Sequence, residues 1–145
     1  MGSILEYKHL GKSGLKVSPL CLGTMLFGRE TPSQESQLII ESARSSGINF
    51  IDTADAYVSG DSERLVGRCI KTSRDHWVLA TKLANKMGQG PNKGGLSRKW
   101  VMQACEESLR RLRTDYIDIY YLHKEDHATP LRETIMAMGD LIKDG

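Results

Sequence analysis

Four polar residues stand at or just beyond the ends of apolar, strand-like runs: Asp52, Tyr57, Lys82 and His123. The runs read Phe50-Ile51-Asp52, then Trp77-Val78-Leu79-Ala80-Thr81-Lys82, then Tyr116 to Leu122 before His123. If these runs are neighbouring parallel strands about 4.8 Å apart, their ends fall within roughly 10 Å of one another. An acid, a phenol, an amine and an imidazole would then share one edge of a sheet. A phenol is a poor acid at neutral pH. An ammonium beside it stabilises the phenolate left after proton release, and a carboxylate beside the ammonium keeps the amine charged. An imidazole can hold a substrate oxygen in place. Together these groups suit protonation of a carbonyl oxygen as hydride reaches its carbon. Protein side chains supply no hydride, so a nicotinamide cofactor is implied.

Taken singly, each residue has a more ordinary reading. Asp52 could cap the turn Asp52-Thr53-Ala54-Asp55, and Lys82 could reach solvent along its own stem. Tyr57 could pack on a rim, and His123 could be a structural hydrogen-bonding group. Only their joint placement favours chemistry.

The elements that must position them follow from periodicity. Tyr7–Leu10 and Leu15–Val17 flank Gly11-Lys12-Ser13-Gly14, the pattern of a β-hairpin. Pro19 leads into a short strand, Leu20–Gly23. Ser33 opens a helix with Leu38, Ile39 and Ala43 on one face, and Gly47 stops it. Ile48–Asp52 is the second strand. Ser62 can cap the next helix, which turns Leu65, Val66, Cys69 and Ile70 inward. Trp77–Thr81 is the third strand, followed by a Gly/Pro/Asn-rich loop, Gly88–Gly95, suited to an active-site rim. Ser97 starts the longest helix, with Val101, Ala104, Cys105, Leu109 and Leu112 at helical spacing. Tyr116–Leu122 is the fourth strand. Thr129 then caps a helix with Pro130 at its first position and Leu131, Ile135, Met138 and Leu141 along it. The fold class is α/β, a hairpin plus (βα)4 with a parallel sheet. Periodicity leaves open whether the sheet is doubly wound or half of a (β/α)8 barrel.

Composition removes several classes of function. Lys plus Arg exceeds Asp plus Glu by two (20 − 18), and no basic run is longer than Arg110-Arg111. That is no nucleic-acid footprint. No apolar stretch approaches the roughly 18 residues of a membrane span. Met1–Glu6 lacks a signal-peptide apolar core, and Glu6 stands where a myristoylation signal needs Ser or Thr. Cys21, Cys69 and Cys105 lie far apart in apolar stretches and read as buried, reduced thiols of a cytoplasmic protein. Gly11-Lys12-Ser13 fails as a P-loop because Glu6 occupies the position of the first glycine. Gly88-Gln89-Gly90 with Gly94 is off the dinucleotide spacing by one. His123 and His127 lack the glutamate of a His-Glu-x-x-His site, so no metal is expected.

The chain resembles the aldo-keto reductases over essentially its full length. The stretches that carry the resemblance are Leu10–Ser18, Leu22-Gly23-Thr24-Met25, Phe50–Tyr57, Thr81-Lys82 and Tyr120-Tyr121-Leu122-His123. Gly95–Lys99 and Thr129–Thr134 look like the branch that includes the potassium-channel beta subunits. The resemblance implies a (β/α)8 barrel and NADPH-dependent reduction of aldehydes or ketones. It implies Tyr57 as proton donor, Lys82 and Asp52 as the pair that tunes it, and His123 as the group that places the carbonyl. It further implies Gly23, Thr24, Met25 and Asp52 at the cofactor. A regulatory or scaffolding subunit like the channel-associated relatives is the alternative, and an inactive truncated product is another.

A full (β/α)8 barrel typically needs about 250 residues. Residues 1–145 are therefore expected to form a single partial domain, the N-terminal half of such a barrel. The isolated chain is expected to bind NADPH poorly. The expected partners are a small carbonyl substrate and, as an open option, a second copy of the chain.

Overall fold

The structure is a computed structural model that describes residues 5–145. The part of the leader and lipid-signal reading that rests on residues 1–4 lies outside them.

Strands β1 (Lys8–His9) and β2 (Lys16–Val17) form the expected antiparallel hairpin, with Lys8 opposite Val17. A parallel sheet follows, built from β3 (Cys21–Gly23), β4 (Phe50–Asp52), β5 (Val78–Leu83) and β6 (Ile119–Leu122) in the order β3-β4-β5-β6. Helices α1 (Ser33–Ser45), α2 (Asp61–Ile70), α3 (Arg98–Leu112) and α4 (Leu131–Asp144) alternate with these strands.

Side-chain alternation decides the architecture that periodicity left open. Ile51 and Leu79 pack on α1 and α2 through Ile40, Ala43, Leu65, Val66 and Ile70. Leu83, two pleats along from Leu79, packs on α3 and α4 through Trp100, Val101, Ala104 and Ala137. All four helices thus cover the same face of a sheet whose strands run in sequence order. A doubly wound sheet breaks that order and places helices on both faces. This is the first half of a (β/α)8 barrel, with β3 and β6 at its edges.

Several local expectations shift, each because a tertiary partner takes precedence. Ser62 does not cap α2. Gly60, at φ 93°, is the residue before the helix, and buried Ser62 donates its hydroxyl to the Thr24 carbonyl at 2.7 Å. Thr129 does not cap α4 either, since its hydroxyl donates to Asp126 Oδ2 at 2.7 Å and Pro130 precedes the helix. Ser97 caps α3 as expected, accepting from the Trp100 amide. On α1 the buried positions are Ser36, Ile40 and Ala43, whereas Leu38 is exposed. On α4 Thr134 and Ala137 are buried, while Leu131 and Ile135 face out. The cysteines are free but not buried: Cys21 is exposed, and Cys69 and Cys105 are half-buried.

One glycine is required by close approach. A Cβ on Gly67 would stand 2.2 Å from the Leu112 carbonyl oxygen, so α2 and the end of α3 touch backbone to backbone there.

Candidate active site

Asp52 is the last residue of β4, Lys82 the penultimate residue of β5, and His123 the residue after β6. Their strands are hydrogen-bonded neighbours, with Asp52 level with Ala80 and Lys82 level with Tyr121. The strand register therefore brings an acid, an amine and an imidazole to one rim. Tyr57 reaches it from a tight turn, Tyr57–Gly60, in which Val58 (φ 49°) and Ser59 (φ 54°) adopt left-handed backbone. Such dihedrals are unfavourable for a β-branched residue.

Lys82 is the hub. Its ammonium donates to Asp52 Oδ2 at 2.6 Å, to the Thr53 carbonyl at 2.8 Å and to the Tyr57 hydroxyl oxygen at 2.9 Å. An ammonium has three protons, and all three are directed. Burial alone would lower the lysine's pKa. The hydrogen bonds to Asp52 and Tyr57 outweigh it and hold the amine above its ordinary value, so it stays charged. Because Tyr57 accepts from Lys82, its own O–H is free to donate to a third group. His123 lies edge-on to Tyr57, ring centroids 5.9 Å apart, and its backbone N–H is held by the Leu83 carbonyl. Burial, then the neighbouring Lys82 charge, lowers the imidazole's pKa, so the ring is neutral at neutral pH.

The remaining residues named from the sequence divide. Gly23 is exposed, and a Cβ there would meet nothing within 4 Å. Met25 is exposed on the same loop. Thr24 is fully buried: its hydroxyl donates to the Asp52 carbonyl and lies 3.0 Å from Ser62 Oγ. Its side chain thus fastens the β3 loop to the end of β4 and offers nothing outward. Lys86–Gln89, at the start of the Gly-rich segment, line a cavity together with Ala56 and Ser59, which flank Tyr57 in sequence.

Sequence reasoning passed over two groups at the rim and a buried cluster behind it. The Thr53 carbonyl is invisible to side-chain motifs. Asn85, just beyond β5, places its amide nitrogen 3.1 Å from His123 Nδ1. Behind the rim, between sheet and helices, Glu63 accepts from Thr81 at 2.6 Å and from Arg111 Nε at 2.5 Å. Asp55 is buried beside this pair, and neither of its carboxyl oxygens has a hydrogen-bond partner among the described residues. Burial, then the Glu63 charge, pushes its pKa up to about 7.

The fold and rim define a half-barrel with an Asp–Tyr–Lys–His constellation at the carboxyl ends of its strands. Comparison with known proteins assigns it: the family model described as "Aldo/keto reductase family" matches residues 19–145, and the chain belongs to that family. It is 41% identical to a probable voltage-gated potassium channel subunit beta of Arabidopsis thaliana, over 97% of this chain and 44% of that protein. The corresponding protein of Oryza sativa subsp. japonica is 39% identical with the same coverage. Among solved structures, aldo-keto reductase AKR11C1 from Bacillus halodurans, in its holo form, superposes with a TM-score of 0.89 at 38% identity. That match covers 98% of this chain and 48% of the other. The chain thus spans just under half the length of these relatives. No helix among the described residues is long and apolar enough to cross a membrane.

Proposed function

We propose that this chain carries the proton-donating half of an NADPH-dependent reductase of aldehydes or ketones. One observation carries the reading: every Lys82 proton is committed, one of them to the Tyr57 oxygen, so the phenolic proton points to a third acceptor. Tyr57 is the general acid. Lys82 stabilises the phenolate left after transfer, and Asp52 anchors Lys82. Neutral His123 donates a hydrogen bond to the carbonyl oxygen and sets its approach to Tyr57.

The residues present fit a nicotinamide. Gly23, Asp52, Lys82 and His123 share an open concavity with Cys21, Phe50 and Tyr121, and Gly23 leaves room for a planar ring. Gly23 and Met25, with Asp52, would hold that part of the cofactor. Thr24 contributes by fixing the loop. The cofactor, when bound, supplies the hydride. We assign the chain as a single partial domain, so cofactor binding by the isolated 145 residues is expected to be weak.

The test compares the chain alone with the chain fused to the second half-barrel of a family member. Reduction of an aromatic aldehyde is followed by the loss of reduced-nicotinamide absorbance. The fusion is expected to turn over, and Tyr57→Phe to lower turnover by about 10²–10⁴-fold, the usual worth of a general acid, while cofactor titration is unchanged. Undiminished turnover in Tyr57→Phe overturns the role. The names of the two plant relatives favour a second reading, a channel-associated subunit. A fusion that binds NADPH, reduces no carbonyl tested and is retained by a potassium-channel cytoplasmic domain would support it instead.

A further inference from the structure

We propose that Asn85 is a positioning residue that fixes the tautomer of His123: its side-chain amide donates to Nδ1, so the ring's proton resides on Nε2. The inference deepens the reductase reading, in which that Nε2–H is the group presented to the carbonyl oxygen. Its central readout, however, does not depend on turnover.

The geometry is specific. Asn85 Nδ2 stands 3.1 Å from His123 Nδ1. A neutral imidazole has one donor nitrogen and one acceptor nitrogen, so an N–H aimed at Nδ1 requires Nδ1 to be the acceptor. The contact is built by the backbone. β5 ends at Leu83, whose carbonyl accepts from the His123 amide at 2.8 Å and ties the two strand ends together. Buried Ala84 then takes φ 116°, outside the comfortable range of an L-residue, and its carbonyl is held by the Gly95 amide at 3.0 Å. This turn carries Asn85 back over the rim toward His123. Unusual backbone at one residue persists only where its surroundings enforce it, and here the enforced turn delivers a single polar side chain to the ring.

The same contact acts on charge. An imidazolium would place an N–H at Nδ1 against the amide N–H, so Asn85 opposes protonation. This adds to the effects of burial and of the Lys82 ammonium. Of the charged groups facing the ring, Asp52 acts in the opposite sense, and Lys124 acts with Lys82. The reverse amide orientation, with Oδ1 accepting from Nδ1–H, would leave Nε2 as an acceptor unable to donate to a carbonyl.

Long-range ¹⁵N–¹H NMR of the imidazoles in the uniformly labelled chain tests the assignment, with His123→Gln identifying the signal. The expected result is a protonated Nε2 and an unprotonated Nδ1 at neutral pH; protonated Nδ1 overturns the proposal. In Asn85→Asp the carboxylate calls for an Nδ1–H, so the tautomer is expected to reverse and the His123 midpoint to rise by roughly one pH unit. Asn85→Ala is expected to yield a tautomer mixture with the fold intact, since the side chain is only half-buried. A variant pair that leaves tautomer and midpoint untouched also overturns it. In the fusion, Asn85→Asp should lower kcat with cofactor affinity retained. If Tyr57→Phe remains fully active while the tautomer behaves as stated, the reductase reading fails and the positioning role stands.

Discussion

Two polar clusters lie on either side of the segment Asp52–Tyr57, and they are built by opposite rules. On the rim, Lys82 and Asp52 are paired at 2.6 Å with side chains still 14% and 23% exposed. Behind it, Arg111 and Glu63 are paired at 2.5 Å with Glu63 fully buried, and Asp55 lies beside them without a side-chain hydrogen-bond partner among the described residues. Part-exposed rim groups can exchange a protein partner for water. Buried groups cannot, so their role is to hold α2 and α3 against the sheet. One short segment therefore contributes Asp52 and Tyr57 to a working surface and Asp55 to a structural interior.

The largest expected effect separates the two clusters by the same kind of change. Arg111→Met leaves Glu63 buried and unpaired, which should destabilise the chain by about 3–5 kcal/mol. Lys82→Met leaves Asp52 free to hydrate, and about 1 kcal/mol is expected. Urea denaturation of both variants measures the contrast. Equal losses would mean that the rim pair is as structural as the buried one.

A second effect concerns pH. Asp55 has its carboxyl raised from 3.8 to about 7 in the folded chain. The folded state then binds more protons than the unfolded state between these values, so stability is full below about pH 4 and falls as pH rises toward 7. The integrated change is roughly 4 kcal/mol. Asp55→Asn should flatten stability across this window and make the chain more stable than its parent at pH 8. An unchanged slope would assign the titration to another group.

The contrast also explains what could be read in the sequence. Asp52, Tyr57, Lys82 and His123 were legible because strand ends in a parallel sheet converge, and the strands were visible as apolar runs. The hairpin and the Ser97 cap came through because each depends on local pattern, whereas the strand order, which periodicity left open, is set by pairing between strands distant in sequence. Ser62 and Thr129 were misread because a hydroxyl that would cap a helix in isolation serves a distant partner here, the Thr24 carbonyl or Asp126. Leu38, Leu131 and Ile135 have helical spacing but face away from the core, since spacing defines a face and not its neighbour. Asp55, Glu63 and Arg111 stayed hidden because a buried ionic cluster is assembled across sequence separations as large as the 48 residues between Glu63 and Arg111.

The smallest effect bears on how the segment is divided between the clusters. Directly after Tyr57, Val58 takes φ 49° and Ser59 φ 54°. A left-handed conformation costs an L-residue roughly 1–2 kcal/mol, and β-branching makes Val58 the worse fit. Glycine accepts the same dihedrals but loses about 0.5–1 kcal/mol more conformational entropy on folding. Val58→Gly should therefore stabilise the chain by only about 0.5–1 kcal/mol, measured by denaturation at fixed pH. Its more telling readout is Tyr57. If the valine turn serves only to reverse the chain, the Tyr57 ring keeps its edge-on contact with His123, and inter-ring NMR contacts are unchanged. If the branched side chain also limits where the tyrosine can go, those contacts weaken even as the fold becomes more stable. The rim would then hold Tyr57 in place at the expense of stability, as the buried cluster has no reason to do.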